Sequence, residues 1–481
     1  MKKRILAAFL AAAMTCGLLA GCGSKPSESD SNAGSGTEQN SGSEGSESNP
    51  SDDETPKDNN GGGDVTLRFL DVSPSPERQS YFENVFAKFK DETGITVNYE
   101  SVPWDDAADK ITVLGSSGQL PDVFTVHQFW LGQLTSAGWV VPLDDYVSKN
   151  LDSVATTATK ILMENEKNLY GHVYRIPDGI MTKGVYYRKD WAEEINYEIP
   201  TGDDWTWEAY LDLIAALTDE SKNRYGNSFR GARGGFDPIQ GMYLLGYTGG
   251  YTYDEEGNFL LNTDECVAAF EKWCDVYLKG YAPKDSLNWG FSEMVDNFVG
   301  GLTGTLLNDS EVTATLLSKM EASQWGVLPL PVSSADKKQY NATGSSYAYS
   351  VAASSEHPDE AIKLIDFLAS TENNIEYCKM NGLIPIRTDV GDDDTYGPDG
   401  PYAVFLEELS QDNLVFPTTY GAFDYTDLHQ GMFHNELQKY LLGQQSSADT
   451  LNNIGAELTK RMKAYLEENE GATVEAPLSL Q

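Results

Sequence analysis

Val65–Leu70 alternates apolar and polar positions as a strand does, and Ser73-Pro74-Ser75-Pro76 interrupts it. Phe82, Val85, Phe86 and Phe89 then recur at three- and four-residue intervals, which predicts a helix over Tyr81–Thr93 that Gly94 stops. Ile95–Ser101 predicts a second strand, Ala107–Leu114 a second helix, and Pro121–Val126 a third strand with a polar exit at His127-Gln128. Strand–helix–strand order of this kind implies an α/β fold with a largely parallel sheet and helices on its faces. Ligands of such sheets sit at the carboxyl ends of the strands. That places Asp71–Ser75, Trp104 and His127–Trp130 on a ligand-facing rim.

Further along, Leu169-Tyr170-Gly171 with Val173–Pro177 predicts a hairpin, and Val185–Arg188 a strand. Trp205-Thr206-Trp207-Glu208 opens an amphipathic helix to Leu217, with Thr206 or Asp204 as its cap. Asp254–Asn258 is a turn in which Gly257 supplies positive φ; it lacks the alternating ligands and distal Glu of a calcium loop. Helices are expected at Cys266–Leu278, Phe291–Phe298, Asp359–Leu368, Ala403–Ser410, Leu428–Leu442 and near Ala448–Glu468. No repeat of solenoid period is present.

The amino terminus follows a different logic. Lys2, Lys3 and Arg4 precede an apolar run from Ile5 to about Leu19. Fifteen helical residues reach roughly 22 Å, short of the roughly 30 Å hydrocarbon core, so residues 1–21 are expected to be a signal peptide. Leu19-Ala20-Gly21-Cys22 resembles the lipobox of bacterial lipoproteins. That resemblance implies a diacylglyceryl group on Cys22, cleavage before it, and tethering to the outer face of the cell membrane. Residues 22–63 then form the lipidated cysteine and a Ser/Gly/acidic linker without an aromatic residue, which cannot bury enough surface to fold.

Composition narrows the function. The chain has 481 residues, 74 acidic and 34 basic, for a formal charge of −40, which argues against nucleic acid as a partner. With 26 Tyr, 18 Phe and 9 Trp, aromatic rings remain for binding surfaces after a core is built. Cys266 and Cys274 lie about 12 Å apart on one predicted helix, too far to bridge, and no Cys/His spacing suits a metal. GxSxG, HExxH, Walker and GxGxxG motifs are all missing, so no catalytic residue, metal or cofactor is assigned. An extracellular glycoside hydrolase stays as an alternative, because with this many carboxylates a chance dyad carries no information.

Several landmarks follow in order: Gly118–Val123, Gly138-Trp139-Val140-Val141-Pro142-Leu143-Asp144, Tyr186–Trp191, Trp205–Glu208, Trp325–Pro331, His357–Ala361 and Gly382–Arg387. Together they resemble the family 1 extracellular solute-binding proteins, the carbohydrate-binding lipoproteins of ATP-binding-cassette importers. The resemblance implies a two-lobed periplasmic-binding-protein-like α/β fold, each lobe a sheet flanked by helices. The expected lobes are 64–181 plus 342–388 and 182–341 plus 389–481, with crossings near Ile180–Val185, Tyr340–Ser346 and Arg387–Asp392. It also implies a monomer that binds a carbohydrate and meets an importer's permease subunits. The basic segment usual after Phe298 reads Gly300-Gly301-Leu302-Thr303-Gly304 here, without its lysine.

A pyranose has a C–H face that a flat ring complements and hydroxyls that planar side chains bond in pairs. Loops pairing aromatic with planar polar residues are therefore the candidates. They are Trp104 with Asp105, His127 with Gln128, Arg230 with Arg233, Trp289, Asp309 and Tyr347. Trp104 is open to two readings, ligand platform or core, and Arg230 equally to ligand contact or pairing with a carboxylate. If both arginines face the cleft, an acidic sugar becomes plausible. A peptide or polyamine is the alternative ligand, the latter suited to the acidity.

Overall fold

A computed structural model describes residues 65–481, other than 238, 240–242, 343–346, 391–392, 470, 480 and 481. Cys22, the signal peptide and the linker lie outside the described residues, as does most of the second crossing. The helix announced by the phenylalanine spacing spans Pro76–Thr93. Ser75 caps it by accepting from the Arg78 amide, Pro76 occupies its first turn, and Gly94 ends it. Phe82, Val85, Phe86 and Phe89 all face inward.

The strands are β1 (Thr66–Asp71), β2 (Thr96–Ser101), β3 (Val123–His127), β4 (Ile176–Pro177), β5 (Lys183–Arg188) and β6 (Tyr225–Asn227). They continue with β7 (Thr303–Asp309), β8 (Trp325–Leu328), β9 (Gln339–Tyr340), β10 (Tyr347–Val351), β11 (Leu414–Phe416) and β12 (Leu478–Ser479). One sheet runs β2-β1-β3-β10-β4, a second β6-β7-β5-β8, and a small third β12-β11-β9. The chain is thus a two-lobed α/β protein whose first sheet takes β10 back after the second sheet has been built.

Neither large sheet is largely parallel. β1 is parallel to β2 and β3, but β10 is antiparallel to both β3 and β4. In the second sheet β6 and β7 are parallel, while β5 opposes β7 and β8. The cause is where the crossing strands start. β10 begins at Tyr347 opposite His127, the last residue of β3, and β5 begins at Lys183 opposite Asp309, the last residue of β7. A strand that starts where its neighbour ends must run against it.

The hairpin expected at Leu169–Pro177 does not form. Leu169 and Tyr170 close a helix, Thr157–Tyr170, capped by the Thr156 hydroxyl and by Gly171, and only Ile176–Pro177 pairs, with β10. The buried side of that helix carries Thr159 and Glu166, which blurs its apolar period.

Side chains tie the crossings together. Asn341 Nδ2 donates to Thr182 Oγ1 at 2.8 Å and also to the Glu408 carboxylate, whose other oxygen accepts from the Leu330 amide at 3.3 Å. Ile180 and Ile384 exchange backbone hydrogen bonds at 2.7 and 2.9 Å, so residue 384 lies against the first crossing. Glu408 is fully buried, and burial pushes its carboxyl up to about 8 although the Leu330 amide and Asn341 oppose the shift. Because the folded protein keeps this proton to higher pH than the unfolded chain, its contribution to stability falls as pH climbs from 4.5 toward 8. Glu408→Gln removes that dependence. Its melting temperature relative to wild type is expected to rise steadily between about pH 5 and pH 8.5, and calorimetry across that range checks the slope.

Candidate functional site

Where β3 and β7 end, a cavity of about 330 Å³ opens between the two sheets. The first lobe contributes His127, Gln128 and Phe129, since β3 is buried along its whole length and delivers the residues just beyond it to the rim. Trp104, the first residue of the helix Trp104–Ser116, joins them. Its indole stacks on Trp130 with ring centres 4.8 Å apart and meets the His127 ring edge-on at 4.7 Å. His127 Nδ1 accepts from the Phe129 amide at 3.3 Å, and burial drives the imidazole well below its ordinary pKa. The ring is therefore neutral, with its proton on Nε2.

The opposite wall comes from the loop after β6 and from the end of β7. Arg230, Arg233, Gly234 and Asp237 lie on the first, Leu307, Asn308 and Asp309 on the second. Met181, Lys183 and Asn341 at the crossings form the base. Phe416–Tyr420, Tyr425 and His429 close one side, and the helix Thr157–Tyr170 supplies Asn165, Glu166 and Tyr170.

Most charges here are matched. Arg175 Nε donates to Glu166 at 2.7 Å, and the other Glu166 oxygen accepts from the Tyr174 and Arg175 amides. Lys183 Nζ pairs with Asp309. Asp237 accepts from His429 Nε2 at 3.0 Å; burial alone would raise its pKa, but His429, Arg230 and Lys183 outweigh it and hold the carboxyl below its usual value. Several fully shielded polar atoms on the wall have no protein partner among the described residues: Asn308 Nδ2, Tyr420 Oη, His429 Nδ1 and Arg230 Nε. Buried polar atoms are normally bonded, and these four belong to residues that line one cavity. Among the described residues, no group of His, Cys, Asp and Glu is arranged to hold a metal ion.

Of the residues singled out from sequence, Trp104, His127, Gln128, Arg230, Arg233 and Asp309 come together on this cavity. The Asp105 side chain lies outside the described residues. Tyr347 stands behind His127 and Trp104, lining a separate space of about 60 Å³ with Arg78, Asp178 and Glu311. Trp289 does not reach the cavity. It is 8% exposed and sits in the core with Met294, Val295 and Phe298, because the helix Phe291–Val299 that follows folds its apolar face back over it. Sequence reasoning missed Asp237, His429, Tyr170 and Glu166. The spacing of Ile161, Leu162, Asn165 and Leu169 is the one signal that could have located the helix carrying two of them.

The lobes touch beside the cavity. Phe129 packs on His429 with ring centres 4.1 Å apart and on Tyr425 at 5.8 Å. Gly132, on the short helix Leu131–Ser136, comes so close to Ala422 that a Cβ added there would stand 2.8 Å from the Ala422 carbonyl oxygen.

Residues 73–375 match the family of bacterial extracellular solute-binding proteins, well over half the chain, and the protein belongs to that family. A putative binding protein of Brucella abortus is 22% identical over 401 residues, covering 82% of this chain and 93% of its own. A maltotriose-binding protein of Pyrococcus abyssi is 23% identical over 322 residues, 66% of this chain and 64% of that one. Among solved structures, maltose-bound MalE3 of T. maritima superposes with a TM-score of 0.70 at 21% identity, over 82% of this chain and 100% of that one. This likeness places the fold among the two-lobed binding proteins.

Gly132→Val tests the contact between lobes. The added side chain meets backbone, so the lobes are expected to be wedged apart, giving a larger radius of gyration in small-angle scattering and a stability loss of about 1–3 kcal/mol.

Proposed function

We propose that this protein captures a sugar or short oligosaccharide in the cavity and delivers it, unreacted, to the permease of an ATP-binding-cassette importer. The observation that carries this reading is the cavity wall itself. Trp104, Phe129, Tyr170 and Tyr425 alternate there with Gln128, Asn308, Tyr420 and His429, several of them with unpartnered polar atoms. Rings for a C–H face set beside donors and acceptors for hydroxyls are what a carbohydrate requires. The maltose and maltotriose bound by the relatives support it. At about 330 Å³ the cavity lies near the small end of ligand pockets, which run from about 300 to 1,000 Å³, and this favours one or two sugar units over a long chain.

Ligand contacts on both sheets make closure and binding one equilibrium, since a guest touching both lobes gains contacts in the closed state. The lobes are read as 64–181 plus 342–388 and 182–341 plus 389–481. The signal peptide is residues 1–21, and Cys22 carries the lipid that holds a monomer on the extracellular face of the membrane through the 22–63 linker.

A thermal-shift screen across a saccharide panel tests the reading, because a ligand of the folded state raises the melting point. At least one mono- or disaccharide is expected to shift it, to remain chemically intact on chromatography, and to bind about tenfold more weakly to Trp104→Ala. A panel without effect beside a peptide or polyamine that shifts the transition overturns the sugar assignment.

A further inference from the structure

Arg230 stands apart from the other charges on the cavity wall. Arg175 has Glu166, Lys183 has Asp309, and Asp237 has His429. Arg230 makes no hydrogen bond or ion pair with any described residue, and its Nε is shut off from solvent. Its guanidinium lies against Gly234, where a Cβ would stand 2.6 Å from Cζ and where φ is +80°. Gly234 thus serves twice: it tolerates the left-handed backbone, and its bare Cα lets the guanidinium settle in one place.

A half-buried cation with its Nε shut off from water and no counter-ion in contact has lost part of its hydration, and an anion of matching geometry recovers that cost. Burial lowers the Arg230 pKa even though Asp237 and Asp309 lie near enough to oppose the shift. Those two carboxylates accept from His429 and Lys183, so neither offers its paired oxygens to the donor fork of the guanidinium. A neutral sugar hydroxyl would fill the space with a weaker bond than an ionised oxygen provides.

Resting on the sugar reading above, we propose that the ligand is an acidic saccharide, a uronate whose carboxylate is held by the Arg230 guanidinium at the end of the cavity nearest Gly234. The rest of the ligand then meets Trp104 and Phe129 on the opposite wall and Asn308 on the same wall as Arg230. The protein's overall charge of −40 makes the point sharper. A sugar acid must be drawn in by a local cation, because the long-range field repels it, and binding is expected to tighten as salt screens that field.

Titration calorimetry with matched disaccharides tests this, each uronate beside the hexose of the same linkage, digalacturonate against α-1,4-galactobiose being the first pair. The uronate member of at least one pair is expected to bind about 10- to 100-fold tighter than its neutral counterpart. Arg230→Met should bring that ratio close to one, with Arg230→Lys intermediate. Unliganded Arg230→Met should melt no lower than wild type, since it loses a half-buried charge that has no partner among the described residues; a guanidinium that merely held the loop together would give the opposite result. Neutral members that bind as tightly as uronates throughout overturn the proposal and leave the sugar reading intact. Failure of every saccharide, acidic or neutral, overturns both.

Discussion

The pairing of Tyr347 with His127 constrains everything else in this molecule. By entering the first sheet where β3 leaves it, β10 brings the returning chain back at the floor of the cleft rather than at the far edge of the lobe. The same arrangement recurs where Lys183 faces Asp309 across β5 and β7. Both crossings are therefore anchored at the places where residues of the cavity lining emerge. The crossing strands and the cavity lining share backbone.

The polar architecture divides into two parts. Around the crossings, the buried Asn341 donates through its amide nitrogen to both Thr182 and the buried Glu408. Such networks are costly to leave incomplete and hold a segment in one arrangement when complete. Across the cavity, by contrast, the acids and bases are matched while the amide of Asn308, the hydroxyl of Tyr420 and the guanidinium of Arg230 are left over. The first set joins the crossings to one another, and the second lies on the cavity lining.

Much of this was legible in the chain. The phenylalanines at 82, 86 and 89 announced a helix because nothing polar interrupts their face, and the apolar run through Val126 made His127 and Gln128 the visible end of a strand. What stayed hidden has physical causes. The helix Thr157–Tyr170 buries Thr159 and Glu166, so its inward face does not look apolar. Trp289 shares its flanking pattern with the cavity-lining Trp104, and only the packing of the helix after it decides that it faces inward. The Asp237–His429 pair spans 192 residues, and no local spacing could have joined them. The direction of β10 was equally out of reach, since it depends on a crossing and not on the strand's own residues.

The stack of Trp104 on Trp130 gives the molecule an optical property of its own. Of nine tryptophans, Trp104 is the one among the described residues that lines the cavity, and its indole is coupled face to face with a buried neighbour. Anything that displaces water from that ring changes the polarity sensed by a single fluorophore of the set. The fold thereby carries an internal gauge of occupancy, and the filling of the cleft can be followed by emission in real time without attaching a dye.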